Sequence, residues 1–159
     1  MGRLKVLLVC TGNTCRSAMA EGALRVLLEG RVDNVDVISA GTGALPGCQA
    51  TLNAIEAAKT WHADITGHRS RPLSAELIEE ADLILVMTPG HYHDVIGYSA
   101  DAASKTFLLK KYPDPGADGE GVADPIGGPL DLYNQTFLEI GEELGRILPD
   151  ILDMAKKKG

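Results

Sequence analysis

The sequence predicts a three-layer α/β fold, with a four-stranded parallel sheet and helices on both faces. Three observations predict it. Short apolar runs alternate with helix-patterned segments, the order expected when parallel strands are joined by crossover helices. The first apolar run stops at a turn that opens directly into a helix. The chain closes on a long amphipathic stretch. Its 159 residues make one ordinary domain, 1–159, long enough to bury about two-thirds of the unfolded surface without staples.

The elements follow in order. Lys5–Val9 is a continuous apolar run bounded by turn residues, which suits a strand buried on both faces. A helix pattern starts near Arg16, with Met19, Ala23, Val26 and Leu27 on one face, and Gly30 is its stop. Val35–Ser39 reads as the second strand and Ala40–Gly47 as a Gly/Pro loop. Thr51–Ala58 reads as a helix with Leu52, Ile55 and Ala58 on one stripe. Ser74 caps a short helix that lacks the reciprocal carboxylate of a capping box, because Leu77 stands at that position. Leu83–Met87 is a third buried strand, Pro89–Ile96 a helix, and Thr106–Leu109 a fourth strand. Tyr112–Pro129 has no periodicity, and a loop that long in a compact domain is usually functional or disordered. Asp131–Lys158 gives the last helix, striped by Leu132, Thr136, Ile140, Leu144, Ile147 and Ile151, with a kink or break expected near Pro149.

Composition excludes several function classes. A net charge of −7 disfavours nucleic acid and anionic membranes as partners, so any positive field must be local. Three cysteines, Cys10, Cys15 and Cys48, form neither a disulfide framework nor a zinc pattern. Met1–Lys5 runs straight into the first strand without a leader pattern, and no apolar run approaches the roughly 18 residues of a membrane span. The expectation is a cytoplasmic protein.

The sharpest feature is Cys10-Thr11-Gly12-Asn13-Thr14-Cys15-Arg16-Ser17, between the first strand and the first helix. Ligands bind at the carboxyl ends of strands in open α/β sheets, and a helix start offers unpaired N–H groups and partial positive charge. Successive loop N–H groups can curl into an anion nest. At the base of such a nest Cys10 is favoured as a thiolate nucleophile. Arg16, six residues on, can grip two phosphate oxygens with its planar fork. Gly12 and Asn13 tolerate left-handed backbone angles. Ser17 can donate its hydroxyl to the sulfur. Thr11, Gly12, Asn13, Thr14, Cys15, Arg16 and Ser17 are therefore the expected phosphate-binding set. The catalyst also needs an acid for the leaving atom, which can later activate water. On the residues alone, Asp114-Pro115 and Asp124-Pro125 are equivalent candidates, and such pairs are often only turns.

This loop resembles the signature of the low-molecular-weight protein-tyrosine phosphatase family, and the resemblance covers nearly the whole chain. Ser39-Ala40-Gly41-Thr42, His68-Arg69-Ser70-Arg71 with Leu73, Ala81–Thr88 and Asp124-Pro125 all resemble family segments. The resemblance implies that Cys10 and Arg16 are catalytic with Asp124 as general acid. It implies that Ser39 and His68 support the loop through Asn13, and that Cys15 can trap an oxidised Cys10 as a reversible disulfide. His62, His91 and His93 are expected to have no site role. Phosphorylated proteins are the expected partners of a monomer that uses no metal and no cofactor.

Two departures bear on the substrate. Tyrosine enzymes of the family wall their slot with aromatics, often directly after the Asp-Pro, whereas Ile126-Gly127-Gly128 stand here. Trp61 and Tyr133 are the remaining aromatic candidates for that wall. Thr14 stands where those enzymes resemble one another in an Ile. Thr14, Asp-Pro-x-Gly-Gly and the segment Asp131–Thr136 resemble the bacterial protein-arginine phosphatase branch, making Thr14 the expected specificity residue. The alternatives are a phosphotyrosine phosphatase, an arsenate reductase and a phosphoprotein-binding module. The reductase would need a further cysteine pair late in the chain, and none follows Cys48. A binding module would need neither nucleophile nor acid.

Overall fold

The computed structural model describes residues 2–159. Four strands, β1 (Leu4–Cys10), β2 (Val35–Gly41), β3 (Leu83–Val86) and β4 (Thr106–Leu108), form one parallel sheet in the order β2-β1-β3-β4. The helices are α1 (Arg16–Leu28), α2 (Leu52–Thr60), α3 (Ala75–Glu80), α4 (Pro89–Tyr98) and α5 (Leu130–Lys158). A short 3-10 turn, Ala100–Lys105, precedes β4 and has no counterpart in the sequence reading.

Alternation along β1 divides the core between the two faces. Leu4, Val6 and Leu8 pack with residues of α1, α2 and α5, while Leu7 and Val9 pack with Ile78 of α3 and Val95 of α4. All seven are buried to within a few per cent. The expected three layers are therefore present, with β1 central and its carboxyl end opening onto the Cys10 loop.

Several local expectations need correction. β2 runs on to Gly41, because its last residues continue the parallel ladder with Val9 and Cys10. In α1, Val26 is turned outward and Leu24 and Leu28 are buried instead. In α2 the buried residues are Ala54, Ala57 and Ala58, while Leu52 is 80% exposed. The face of α2 turned to the core is thus built of small side chains, so size outranks apolarity there. Leu132 is also partly exposed, but the rest of the α5 stripe is buried. That helix is continuous through Pro149, so no break occurs.

Thr51, Ser74 and Thr88 each accept a hydrogen bond from the backbone N–H three residues on, starting α2, α3 and α4 respectively. Pro89 follows Thr88 at the first position of α4, where its missing N–H costs nothing. α1 differs. Its cap position is Cys15, which makes no side-chain capping bond. The first N–H groups of α1 are thus left to the loop, not consumed by a cap.

Candidate active site

Cys10 ends β1 and is buried, with Arg16 and Ser17 buried in the first turn of α1. Between them Asn13 takes a left-handed backbone angle, φ 58°. Four hydrogen bonds hold it there. Its side-chain N–H groups donate to Ser17 Oγ (2.8 Å) and Ser39 Oγ (2.9 Å). Its Oδ1 accepts from Arg71 N (2.9 Å), and its carbonyl accepts from His68 Nε2 (2.6 Å). A left-handed non-glycine residue costs about 1–2 kcal/mol, which this set of bonds offsets.

Those bonds settle the direction of the next one. Ser17 Oγ accepts from Asn13, so its own proton is free to go to Cys10 Sγ, 2.7 Å away. The sulfur also accepts from Asn13 N at 3.3 Å. Ser39 is oriented in the same way, accepting from Asn13 and donating to Glu21 Oε1 (2.7 Å). Two hydrogen bonds thus converge on the Cys10 sulfur at the start of α1, an environment that favours a thiolate over a buried inert thiol.

The segment after β2 braces the loop from outside. Thr42 N donates to the Cys10 carbonyl and Gly43 N to the Thr11 carbonyl, both at 2.9 Å. Gly41 is required for this approach, since a Cβ there would lie 2.3 Å from the Thr11 oxygen.

Arg16 crosses the site to the long loop. Its Nη1 donates to the Val122 carbonyl (2.9 Å), and its Nη2 lies 3.5 Å from Asp124 Oδ2. The other Asp124 oxygen accepts from Ile126 N at 3.1 Å, and the side chain is 41% exposed. Val122 is itself fixed, through its N–H, to the Met87 carbonyl at the end of β3 (2.7 Å). Asp114 is exposed, and its recorded bond is a backbone turn with Lys111. Of the two Asp-Pro dipeptides, only Asp124-Pro125 faces Arg16.

Thr14 is partly buried on the loop, with its carbonyl accepting from Thr51 N (3.0 Å). Cys15 is buried and not disulfide-bonded; its sulfur lies 3.5 Å from both Thr51 Oγ1 and Tyr133 Oη. Burial and the neighbouring Cys15 push the Tyr133 hydroxyl above its ordinary pKa, which keeps it protonated. Both aromatic candidates have partners inside the fold. Tyr133 packs under Cys15, and Trp61 stacks on Phe137 with ring centroids 6.4 Å apart. Among the described residues, no group of three or more His, Cys, Asp or Glu is arranged to hold a metal, and no helix is long and apolar enough to cross a membrane.

Residues 5–158 match the family model described as low molecular weight phosphotyrosine protein phosphatase. The chain belongs to this family. A protein-arginine-phosphatase of Bacillus subtilis is 42% identical over 91% of this chain and 94% of its own length. A probable low molecular weight protein-tyrosine-phosphatase, EpsP of Ralstonia nicotianae, is 49% identical over 92% and 94% respectively. A solved structure of the arginine phosphatase YwlE, a mutant with a phosphorylated active site serine, superposes with a TM-score of 0.86 at 40% identity, covering 98% of this chain and all of that one.

Two features of this family member escaped the sequence reading. Val122 is one. His91, assigned no role there, is the other. It is buried, and its Nε2 lies 2.8 Å from Thr11 Oγ1. Burial and the Arg16 cation push its pKa down to about 4, against the opposite pull of Asp94 and Asp124. The usable signal was Thr88-Pro89, a helix start placed directly after a central strand and hence beside the Cys10 loop. His62 and His93 are exposed.

Proposed function

We propose that this phosphoprotein phosphatase removes phosphate from phosphoarginine in proteins through a phosphocysteine intermediate. Cys10 Sγ attacks phosphorus as the P–N bond breaks, and Asp124 gives its proton to the departing guanidine nitrogen. Water then attacks phosphorus and passes a proton to the Asp124 carboxylate as the S–P bond breaks, releasing inorganic phosphate and the free thiolate. Arg16 and the loop N–H groups balance the charge on the phosphoryl oxygens throughout. Ser17 donates to the sulfur as it leaves. The cation that supports the transition state is thus supplied by the chain.

The observation that carries the arginine assignment is the wall of the slot. Thr14 is smaller than the Ile of the tyrosine enzymes and adds a hydroxyl. Ile126 and Gly127 follow the Asp-Pro where a ring would stack. This wall suits a planar guanidinium, which leaves the protonated Asp124 facing the departing nitrogen. The 42% identity to a protein-arginine-phosphatase supports the reading. A phosphotyrosine substrate is the second reading, favoured by the 49% identity to EpsP.

The test compares kcat/KM for a phosphoarginine peptide and a phosphotyrosine peptide, with the wild type and with Thr14→Ile. The wild type is expected to prefer phosphoarginine. The substitution is expected to move the ratio toward phosphotyrosine by about tenfold or more, the range in which pocket methyl groups discriminate. A wild type that prefers phosphotyrosine, with a ratio that Thr14→Ile leaves alone, gives the assignment to the second reading.

A further inference from the structure

The His91 ring joins two threonines. Its Nδ1 lies 3.0 Å from Thr88 Oγ1, and its Nε2 lies 2.8 Å from Thr11 Oγ1. Thr88 Oγ1 also accepts the His91 backbone N–H at 3.3 Å, as the cap of α4. Thr11 Oγ1 also accepts from Arg16 Nη2 at 3.4 Å. The ring is neutral near pH 7, since burial and Arg16 depress its pKa to about 4. It therefore carries one proton, on one nitrogen or the other.

Proton accounting decides which. With the proton on Nδ1, Thr88 Oγ1 accepts twice and its own hydroxyl proton, half-buried, has no acceptor among the described residues. With the proton on Nε2, the Thr88 hydroxyl donates to Nδ1, and Nε2–H donates to Thr11. The one unused hydroxyl proton then belongs to Thr11, which is exposed at the site. Thr88 is half-buried and Thr11 exposed, so leaving the Thr88 donor unpaired costs more than leaving the Thr11 donor to solvent or ligand.

We infer that His91 is a positioning residue: protonated on Nε2, it fills the second lone pair of Thr11 Oγ1 and turns the Thr11 hydroxyl proton outward, as a donor to a phosphoryl oxygen gripped by Arg16. Both lone pairs of Thr11 are then occupied, one by His91 and one by the guanidinium. The hydroxyl can only donate. It sits one residue after the nucleophile and in contact with Arg16 Nη2, where a phosphate held by that nitrogen presents its oxygens. An ordinary threonine hydroxyl turns freely and can face an anion with a lone pair. This one is fixed as a donor before the anion arrives, so no reorientation is needed. The inference rests on the site binding phosphate, and is independent of whether that phosphate comes from arginine or tyrosine.

Two measurements test it. Nitrogen-15 spectra of the wild-type imidazoles between pH 5 and 8 are expected to show His91 neutral throughout, with the proton on Nε2. A proton on Nδ1 overturns the inference. Competitive inhibition by inorganic phosphate is then measured on a generic aryl phosphate substrate. Thr11→Val is expected to weaken phosphate binding about tenfold, as for the loss of a hydrogen bond to a charged group. His91→Ala is expected to match it, and the double variant to be no worse than either single one. His91→Gln, whose amide can place a donor near Nε2, is expected to recover most of the loss. Unchanged inhibition in Thr11→Val, or additive losses in the double variant, overturns the inference. A wild type that phosphate does not inhibit overturns the phosphatase site itself. A wild type inhibited by phosphate but inactive on phosphoarginine overturns only the substrate assignment.

Discussion

Arg16 Nη1 donates to the Val122 carbonyl at 2.9 Å, so the proposed phosphate clamp and the loop bearing Asp124 are held as one piece. The guanidinium needs its fork for this, with one nitrogen on the carbonyl and the other beside Asp124 and Thr11. Lysine has one point charge and no fork. Arg16→Lys is expected to lower kcat/KM by about 100-fold or more, the scale for removing a preorganised donor from a transition state. Steady-state kinetics check it, and a fall of less than about fivefold contradicts the arrangement.

Gly121 is a tight point behind the same loop. A Cβ there would lie 2.8 Å from the Met87 carbonyl oxygen and 2.9 Å from Thr88 Cα, both backbone atoms that cannot step aside. Gly121→Ala is expected to push Val122 and Asp124 off the end of β3. Displacement of an acid by about 1 Å can cost about 100-fold. A kcat reduced at least about tenfold, with the fold retained by circular dichroism, is the expected result.

Asn13 joins Cys10 to residues far along the chain. Asn13→Ala removes three side-chain hydrogen bonds and leaves a strained left-handed residue, at an expected cost of about 2–4 kcal/mol. Asn13→Gly keeps the loss of those bonds but relieves the backbone, and should recover about 1 kcal/mol. Chemical denaturation of the two variants separates the side-chain part from the backbone part.

His91 links stability to pH. Its folded pKa, about 4, lies below the ordinary 6.5, so between these values the unfolded chain binds the extra proton. Stability is therefore full above about pH 6.5 and is lost as pH falls toward 4. Burial drives the shift, with Arg16 adding to it, while Asp94 and Asp124 oppose it. Allowing for solvent screening at an open site, the effect is on the order of 2 kcal/mol. His91→Gln is expected to remove that part of the slope. Denaturation midpoints at pH 5 and pH 7.5, wild type against variant, read it directly.

How much of this was legible depended on sequence distance. The Cys10–Ser17 loop could be read because its parts are contiguous and bracketed by a strand and a helix. The choice between Asp114 and Asp124 could not be made on local grounds, since both are Asp-Pro turns. It needed the family resemblance, and in space only Asp124 meets Arg16. His91 was missed because its meaning lies in a contact 80 residues back, to Thr11. It becomes visible once β1 and β3 are known to be neighbours, which brings the start of α4 beside the loop. The α2 stripe was misread because periodicity alone does not say that alanines, not the leucine, form the buried face of this helix. The uninterrupted α5 shows the reverse limit: a proline weakens a helix locally without stopping one that is packed along its length.

The most direct test of the account is to quench wild-type enzyme early in turnover of a phosphoarginine peptide and map phosphate by mass spectrometry. Phosphate on Cys10, formed and lost at rates compatible with turnover and absent from Cys10→Ala, is the expected result. Turnover of phosphoarginine that persists in Cys10→Ala, or phosphate found on another residue, contradicts it.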